Sequence, residues 1–205
     1  MKAIILIRHP ETPMAGRFCG HSDPDLNLAG ELQMESIAEK VQSLHIGRIL
    51  SSDLRRAART AQAICGRTGV QLELRPSLRE IHFGSWESLH WTEIEERFPH
   101  DAALWLREFP RRAAPGGESY ADFAARIHAE FAALYEASDG RTAVVTHRGV
   151  LHFVLTQFFA MPDTVAWERT ARYGAVMMAT STEARAARSA AIEALNQYRY
   201  RLEEL

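Results

Sequence analysis

Two imidazole–guanidinium pairs carry the most chemical promise in this chain: Arg8-His9 and His147-Arg148. Each follows a short apolar run, Ala3 to Ile7 and Thr142 to Thr146, of the kind that forms a buried strand. Between them, Ser51-Ser52-Asp53-Leu54-Arg55-Arg56-Ala57 offers helix-start amides and an arginine, and Glu80 lies within Leu78-Arg79-Glu80-Ile81-His82-Phe83-Gly84-Ser85-Trp86-Glu87. Two imidazoles, at least two guanidiniums and a carboxylate are the parts of a metal-free phosphoryl-transfer site. Guanidinium forks clamp phosphate oxygens bidentately. A neutral imidazole can attack phosphorus, and a carboxylic acid can protonate a leaving alkoxide.

Rival phosphate chemistries lack their residues. No G-x-x-x-x-G-K-[ST] loop occurs, and neither Cys19 nor Cys65 has an arginine six positions on. Asp23-Pro24-Asp25 has no buried strand before it, so it does not read as an aspartyl nucleophile. Nine histidines invite a metal, but no H-E-x-x-H or comparable paired spacing exists; neither metal nor cofactor is expected.

The elements that must position these residues alternate between strand and helix. After the first strand, residues 13–27 are rich in Gly, Pro, Asp and Ser and read as a loop. Leu28, Leu32, Ile37, Val41 and Leu44 have helical spacing. A brief strand over Arg48 to Ser51 precedes a helix running to about Cys65, with Ser52 as its N-cap and Asp53 near its positive end. Gln71 to Leu74 is a third short strand. Ser119 caps an amphipathic helix to about Ala137, with Phe123, Ile127, Phe131 and Leu134 on one face. Gly149 to Phe159 reads as the helix after the central strand, and Tyr173 to Thr180 as a further strand. Glu183 to Arg188 reads as a surface excursion. Ala190 to Tyr200 fits either a helix or an edge strand. The alternation implies an α/β three-layer sandwich, a mostly parallel sheet with helices on both faces, forming one domain over residues 1–205. Ligands in such folds bind at the carboxyl ends of strands, which places Arg8-His9 and His147-Arg148 on one rim.

Composition bounds the function. With 46% hydrophobic and 24% charged residues over 205 positions, the chain is neither a disordered tail nor a fibre. A formal charge of −2 provides no field for nucleic acid or an acidic membrane. Lys2 and Lys40 are the only lysines among 24 basic residues, so an arginine counts only within a pattern. Two cysteines are too few for a disulfide framework, and Arg8 ends the first apolar run too early for a secretory or spanning segment. A cytoplasmic location is expected. No internal repeat is present, and Pro115-Gly116-Gly117 is too short to divide two cores.

Leu6-Ile7-Arg8-His9-Pro10-Glu11-Thr12 resembles the signature strand and loop of the histidine phosphatase superfamily, in its phosphoglycerate-mutase-like branch. The resemblance continues, in the family's order, through Cys19 to Asp23, Leu26 to Gly30, Ser52 to Ala57 with Thr60-Ala61, and Glu80 with Phe83 to Glu87. It ends with Gly116 to Ser119, Phe123, Arg126 and Val144 to Val150, so it covers roughly residues 3 to 180. Within the superfamily the chain is most similar to the alpha-ribazole phosphatases of cobalamin nucleotide-loop assembly. The resemblance implies a metal-independent phosphomonoesterase with His9 as the nucleophile that becomes phosphohistidine. Arg8, Arg56 and His147 would hold the phosphate, and Glu80 would protonate the leaving group and then activate water. Thr12, Arg17, Cys19, Gly20 and the Arg148 backbone amide would complete the substrate site. The partner is then a small phosphomonoester, alpha-ribazole 5′-phosphate among the options, and a homodimer is allowed. Alternatives are a mutase or broad-specificity phosphatase on the same fold, or a non-catalytic phospholigand-binding module.

Three departures from the family pattern stand close to the expected site. Pro10 replaces the commoner glycine, Ala15 stands where an asparagine is usual, and Arg148 replaces a glycine. Arg17 is a candidate to replace the asparagine's contact. Around the site, Arg55 reads as surface, His82 and His90 flank the block that follows Glu80 and read more readily as packing or surface than as substrate contacts, and Trp86, Trp91 and Trp105 read as packing residues.

Overall fold

The computed structural model describes residues 3–137 and 140–180. The apolar runs form a five-stranded sheet: β1 (Ala3–Arg8), β2 (Arg48–Ser51), β3 (Leu72–Leu74), β4 (Arg141–Thr146) and β5 (Val176–Thr180). Their order is β3-β2-β4-β1-β5; β5 runs antiparallel to β1, and the other neighbours are parallel. Successive residues of a strand point to opposite faces, so a strand buried on both sides reads as a continuous apolar run. In β1 all six residues are buried.

The two faces are filled by different helices. Ile5, Ile7, Ile49, Ala143 and Val145 pack against α1 (Leu28–Gln42) and α2 (Arg55–Thr68) through Ile37, Val41, Ala57 and Ile64. Leu6, Leu50 and Val144 face the other way, onto Phe123, Ile127 and Phe131 of α5 (Tyr120–Ala137) and Val150 and Val154 of α6 (Arg148–Phe159). Each fully buried Ile, Leu or Phe contributes roughly 1.5–3 kcal/mol, which favours the three-layer arrangement over any with an open face. The expected α/β sandwich is what forms.

Local departures have identifiable causes. Leu28 and Leu32 share a helical spacing, yet they are 81% and 70% exposed; the buried stripe of α1 runs through Gly30, Met34, Ile37, Ala38 and Val41. Gly30 is pressed onto the loop after β1, where a Cβ would lie 2.1 Å from the Glu11 carbonyl oxygen. Ser52 does not cap α2, which begins three residues later. The helix's first amide, that of Arg55, donates instead to Asp23 from the distant loop at 2.7 Å. Ser119 does cap α5, accepting from the Asp122 amide at 3.0 Å.

Three helices go beyond the sequence expectation: α3 (Trp91–Arg97), α4 (Pro99–Glu108) and α7 (Asp163–Ala171). The first two close over a small aromatic core. In it Trp86 is fully buried, and Phe18, Trp91 and Trp105 pack against it with ring centroids 5.7–6.2 Å away. The tryptophans therefore pack, as expected. Among the described residues no helix is long and apolar enough to cross a membrane. Glu183 to Arg188 and Ala190 to Tyr200 lie outside the described residues.

Candidate active site

Sheet register brings the chemistry together. In the β1–β4 ladder Arg8 pairs with Thr146, and the His9 amide donates to the Thr146 carbonyl at 2.9 Å, so His9 and His147 emerge side by side. In the neighbouring ladder Ser51 pairs with Val145, and the Ser52 amide donates to the Val145 carbonyl at 3.0 Å. Three adjacent parallel strands thus end in Ser52, His147 and His9. The chain leaves β1 and β2 toward one face (α1, α2) and β4 toward the other (α6). Such a switch point opens a crevice at the strands' carboxyl ends.

The His9 and His147 rings lie 5.1 Å apart, close to the spacing of neighbouring strands. His9 Nδ1 is 2.7 Å from the Pro10 carbonyl oxygen. A carbonyl can only accept, so Nδ1 carries the proton and Nε2 has the free lone pair. Burial, with Arg56 and Arg8 close by, holds the His9 pKa well below the usual imidazole value and keeps the ring neutral. Burial, Arg56 and His9 do the same for His147. His147 Nε2 is 2.9 Å from the Ser52 hydroxyl, while its buried Nδ1 has no protein partner.

The two candidate phosphate arginines are held by backbone carbonyls. Arg8 donates through one terminal nitrogen to Thr170 O (3.0 Å) and Ala171 O at the negative end of α7, with its guanidinium 3.9 Å from the centre of the Tyr173 ring. Arg56, fully buried, donates to Ser22 O (2.7 Å), Gly20 O (2.8 Å) and Cys19 O (3.3 Å). Nε of each arginine is buried without a protein partner.

Glu80 is reached through a turn after β3 that Arg126 of α5 secures, donating to the carbonyls of Ser77, Arg79 and Glu80 at 2.7–2.9 Å. The Glu80 carboxylate accepts from Gly149 N (2.9 Å) and Ile81 N (3.1 Å). Burial pushes its pKa up, against the pull of these amides and of Arg56 and Arg8. At Gly149 a Cβ would sit 2.5 Å from Glu80 Oε1, so any other residue at the start of α6 would push the carboxylate from its present place.

The other expected substrate residues are distributed differently. Gly20 and Cys19 border Arg56 through their carbonyls, and a Cβ on Gly20 would lie 2.2 Å from Ile81 O. Burial pushes the Cys19 thiol up, which argues against nucleophilic use. Thr12 is buried and its hydroxyl accepts from the Met14 amide at 3.3 Å. Arg17 turns outward to Ser88 O (2.7 Å) and Glu93 (3.0 Å). The Arg148 side chain lies along α7, donating to Trp167 O (3.2 Å) over that residue's ring; its amide opens α6. Ser52 and Tyr173, whose ring lies 5.7 Å from that of His9, are the residues sequence reasoning missed. Ser52 masquerades as a helix cap, and Tyr173 as the start of a strand.

The family model for the histidine phosphatase superfamily, branch 1, matches residues 4–196. The chain belongs to this superfamily. It is 28% identical over 165 residues to the adenosylcobalamin/alpha-ribazole phosphatase of Salmonella typhimurium (strain LT2), covering 79% of this chain and 82% of that one. It is 32% identical over 174 residues to the Salmonella choleraesuis protein named "Probable phosphoglycerate mutase GpmB", covering 82% and 78%. The crystal structure of the alpha-ribazole phosphatase from Shigella flexneri superposes with a TM-score of 0.74 at 25% identity, covering 81% of this chain and 84% of that one. Branch-1 membership agrees with the ordered motifs from Arg8-His9 to His147.

Proposed function

We propose that this histidine phosphatase superfamily member is a metal-independent phosphomonoesterase that works through a phosphohistidine at His9. Of six buried side-chain nitrogens without a hydrogen-bond partner among the described residues, three gather at one place, and that clustering carries the reading: Arg8 Nε, Arg56 Nε and His147 Nδ1. Leaving such groups unpaired costs roughly 1–3 kcal/mol each, more when charged. All three belong to the side chains that surround a neutral His9, and the equatorial oxygens of a phosphoryl group would satisfy them.

In the reaction, His9 Nε2 attacks phosphorus in line while Nδ1 stays on the Pro10 carbonyl. The P–O bond to the leaving group breaks as Glu80 delivers its proton to the departing oxygen. Water then attacks the phosphoramidate, Glu80 takes its proton, and His9 is regenerated. Arg8, Arg56 and His147 hold charge that develops on the transferring group. Among the described residues no three His, Cys, Asp or Glu side chains are grouped to hold a metal ion.

For the substrate we take alpha-ribazole 5′-phosphate first, on the support of the named Salmonella phosphatase. The mutase named among the relatives supports a second reading, in which the phosphoryl group returns to a bound acceptor. A panel of phosphomonoesters with and without EDTA tests both. Release of inorganic phosphate, undiminished by EDTA and fastest with alpha-ribazole 5′-phosphate, is expected. Isomerised 3-phosphoglycerate without phosphate release would establish the mutase, and loss of rate in EDTA restored by a divalent ion would overturn the metal-free mechanism.

A further inference from the structure

Glu87 lies outside the group that surrounds His9, yet its carboxylate is the hub of the loop that grips Arg56. It accepts from the amides of Gly20 (3.1 Å), His21 (2.8 Å), Ser22 (2.9 Å) and Phe83 (3.0 Å), and from the Ser22 hydroxyl (2.6 Å). Burial alone would raise its pKa; these donors outweigh it and hold the carboxyl below the ordinary value, so the group is ionised. One anion thereby turns three consecutive amides, residues 20–22, toward itself. A peptide's N–H and C=O point in opposite directions, so fixing the amides of Gly20 and His21 also fixes the carbonyls of Cys19 and Gly20, with which they share a plane. Both carbonyls accept from the Arg56 guanidinium; its third acceptor, Ser22 O, lies one peptide further on, in the residue whose amide and hydroxyl both donate to Glu87.

The same loop is tied to the arginine's own helix. Asp23 accepts from the Arg55 amide at 2.7 Å, and Asp25 accepts from Arg59 at 2.6 Å. On its other side, Glu87 leads into residues that pair with the loop: Ser88 N donates to Phe18 O at 2.8 Å, and Phe18 N to Leu89 O at 2.9 Å. Gly20 is enclosed between Ile81 O and Glu87 Oε1, with no room for a Cβ. A surface carboxylate would have water around it. This one has five protein donors, and the backbone they organise ends on one guanidinium.

We infer that Glu87 is a positioning residue for the phosphate site: it sets the carbonyl cradle that aims Arg56 Nε at the phosphoryl group. The inference rests on the phosphoryl-transfer reading of Arg56. It places no contact between Glu87 and substrate, and it makes the aromatic region around Trp86 part of what holds the clamp in register.

The test is a four-member cycle on the whole protein: wild type, Glu87→Gln, Arg56→Lys and the double variant, each titrated calorimetrically with inorganic phosphate. Thermal unfolding of each is recorded alongside. Gln keeps the shape and one acceptor oxygen, so the fold is retained while the cradle loosens. Glu87→Gln is expected to weaken phosphate binding about fivefold to tenfold when Arg56 is present, and by less than about twofold in the Arg56→Lys background, the non-additivity of residues acting through one group. Glu87→Asp, which keeps the charge, should lie between Glu87→Gln and wild type. Equal losses in both backgrounds, or no loss with Arg56 present, would overturn the positioning role while leaving the phosphatase reading intact. If Arg56→Lys itself leaves phosphate affinity unchanged, the reading of Arg56 fails and this inference falls with it.

Discussion

The imidazoles of His9 and His147 stand 5.1 Å apart at a 55° tilt, and only one of them has its proton fixed by a carbonyl. That asymmetry separates their roles. His9 holds its proton on Pro10 O and offers Nε2, whereas His147 offers Nδ1 from a ring anchored on Ser52.

A covalent label distinguishes them directly. Turnover quenched in alkali, where a phosphoramidate persists, should place about 80 Da on the peptide carrying His9, the mass of one HPO₃ transferred to a nucleophile. His9→Ala should abolish label and activity together. His147→Ala should slow the reaction on the order of a hundredfold without moving the label. A phosphorylated His147 would refute the assignment.

Burial raises the Glu80 pKa, so the carboxyl keeps its proton above the ordinary carboxylate range and loses it as pH rises through the raised value, the behaviour required of the leaving-group acid proposed above. Glu80→Gln should therefore slow alkyl phosphates by about a hundredfold or more and p-nitrophenyl phosphate far less, since that phenolate departs unaided. It should also remove the alkaline limb of kcat against pH. Equal losses on both substrates would assign Glu80 another task.

Gly149 provides an indirect route to the same carboxylate. The Gly149→Ala Cβ would lie 2.5 Å from Glu80 Oε1, and the three atoms nearest to it all belong to the Glu80 carboxylate, so the acid is the group it displaces. The expected signature is the selectivity of Glu80→Gln in milder form: about tenfold loss on alkyl phosphates, little change on p-nitrophenyl phosphate and little change in phosphate affinity. A matching fall on both substrates would show that the start of α6 itself has been disturbed.

Local chemistry made the framework of this site readable. Ile5-Leu6-Ile7 and Ala143-Val144-Val145 have no alternative to a strand buried on both faces, so Arg8-His9 and His147 had to share a rim. What escaped was decided by contacts distant in sequence. The cap of α2 comes from Asp23, 32 positions before Arg55, which frees Ser52 to serve His147. Arg17 finds Glu93, 76 residues away, a partner that its own stretch of sequence does not announce. The short helix α7 lacks a strong apolar stripe, with Ala166 and Thr170 its only buried residues, yet its terminal carbonyls hold Arg8. Leu28 and Leu32 show the converse, a convincing periodicity that faces outward.

We propose that Ser52 sets the tautomer of His147. The Leu54 amide donates to the Ser52 oxygen at 3.3 Å, and a hydroxyl proton directed at His147 Nε2 would place the ring proton on Nδ1, the atom left for the phosphate in the proposed mechanism. Ser52→Ala should lower kcat by about tenfold to thirtyfold, the worth of one oriented donor, and shift the unfolding temperature only slightly. Ser52→Thr, which keeps the hydroxyl, should recover much of the loss. Full activity in Ser52→Ala would show that the ring needs no such anchor.

Keeping two imidazoles neutral in the interior has a cost that appears in acid. Their folded pKa values lie well below the usual 6.5, so between that value and the lowered ones the unfolded chain binds protons that the folded protein refuses. Their contribution to stability is therefore complete above about pH 6.5 and is lost as pH falls, with a slope approaching about 1.4 kcal/mol per pH unit for each ring. Glu80 acts in the opposite sense: its raised pKa makes the folded protein hold a proton that the unfolded chain releases, which adds stability as pH falls through the raised value. Urea unfolding at pH 7.0, 6.0 and 5.5 separates the two signs. Wild type should weaken toward pH 5.5; His147→Gln should flatten that decline by up to about 1.4 kcal/mol per pH unit, and Glu80→Gln should steepen it. An unchanged slope in His147→Gln would mean that the buried ring accepts its proton, and the neutral donor assigned to it would have to be abandoned.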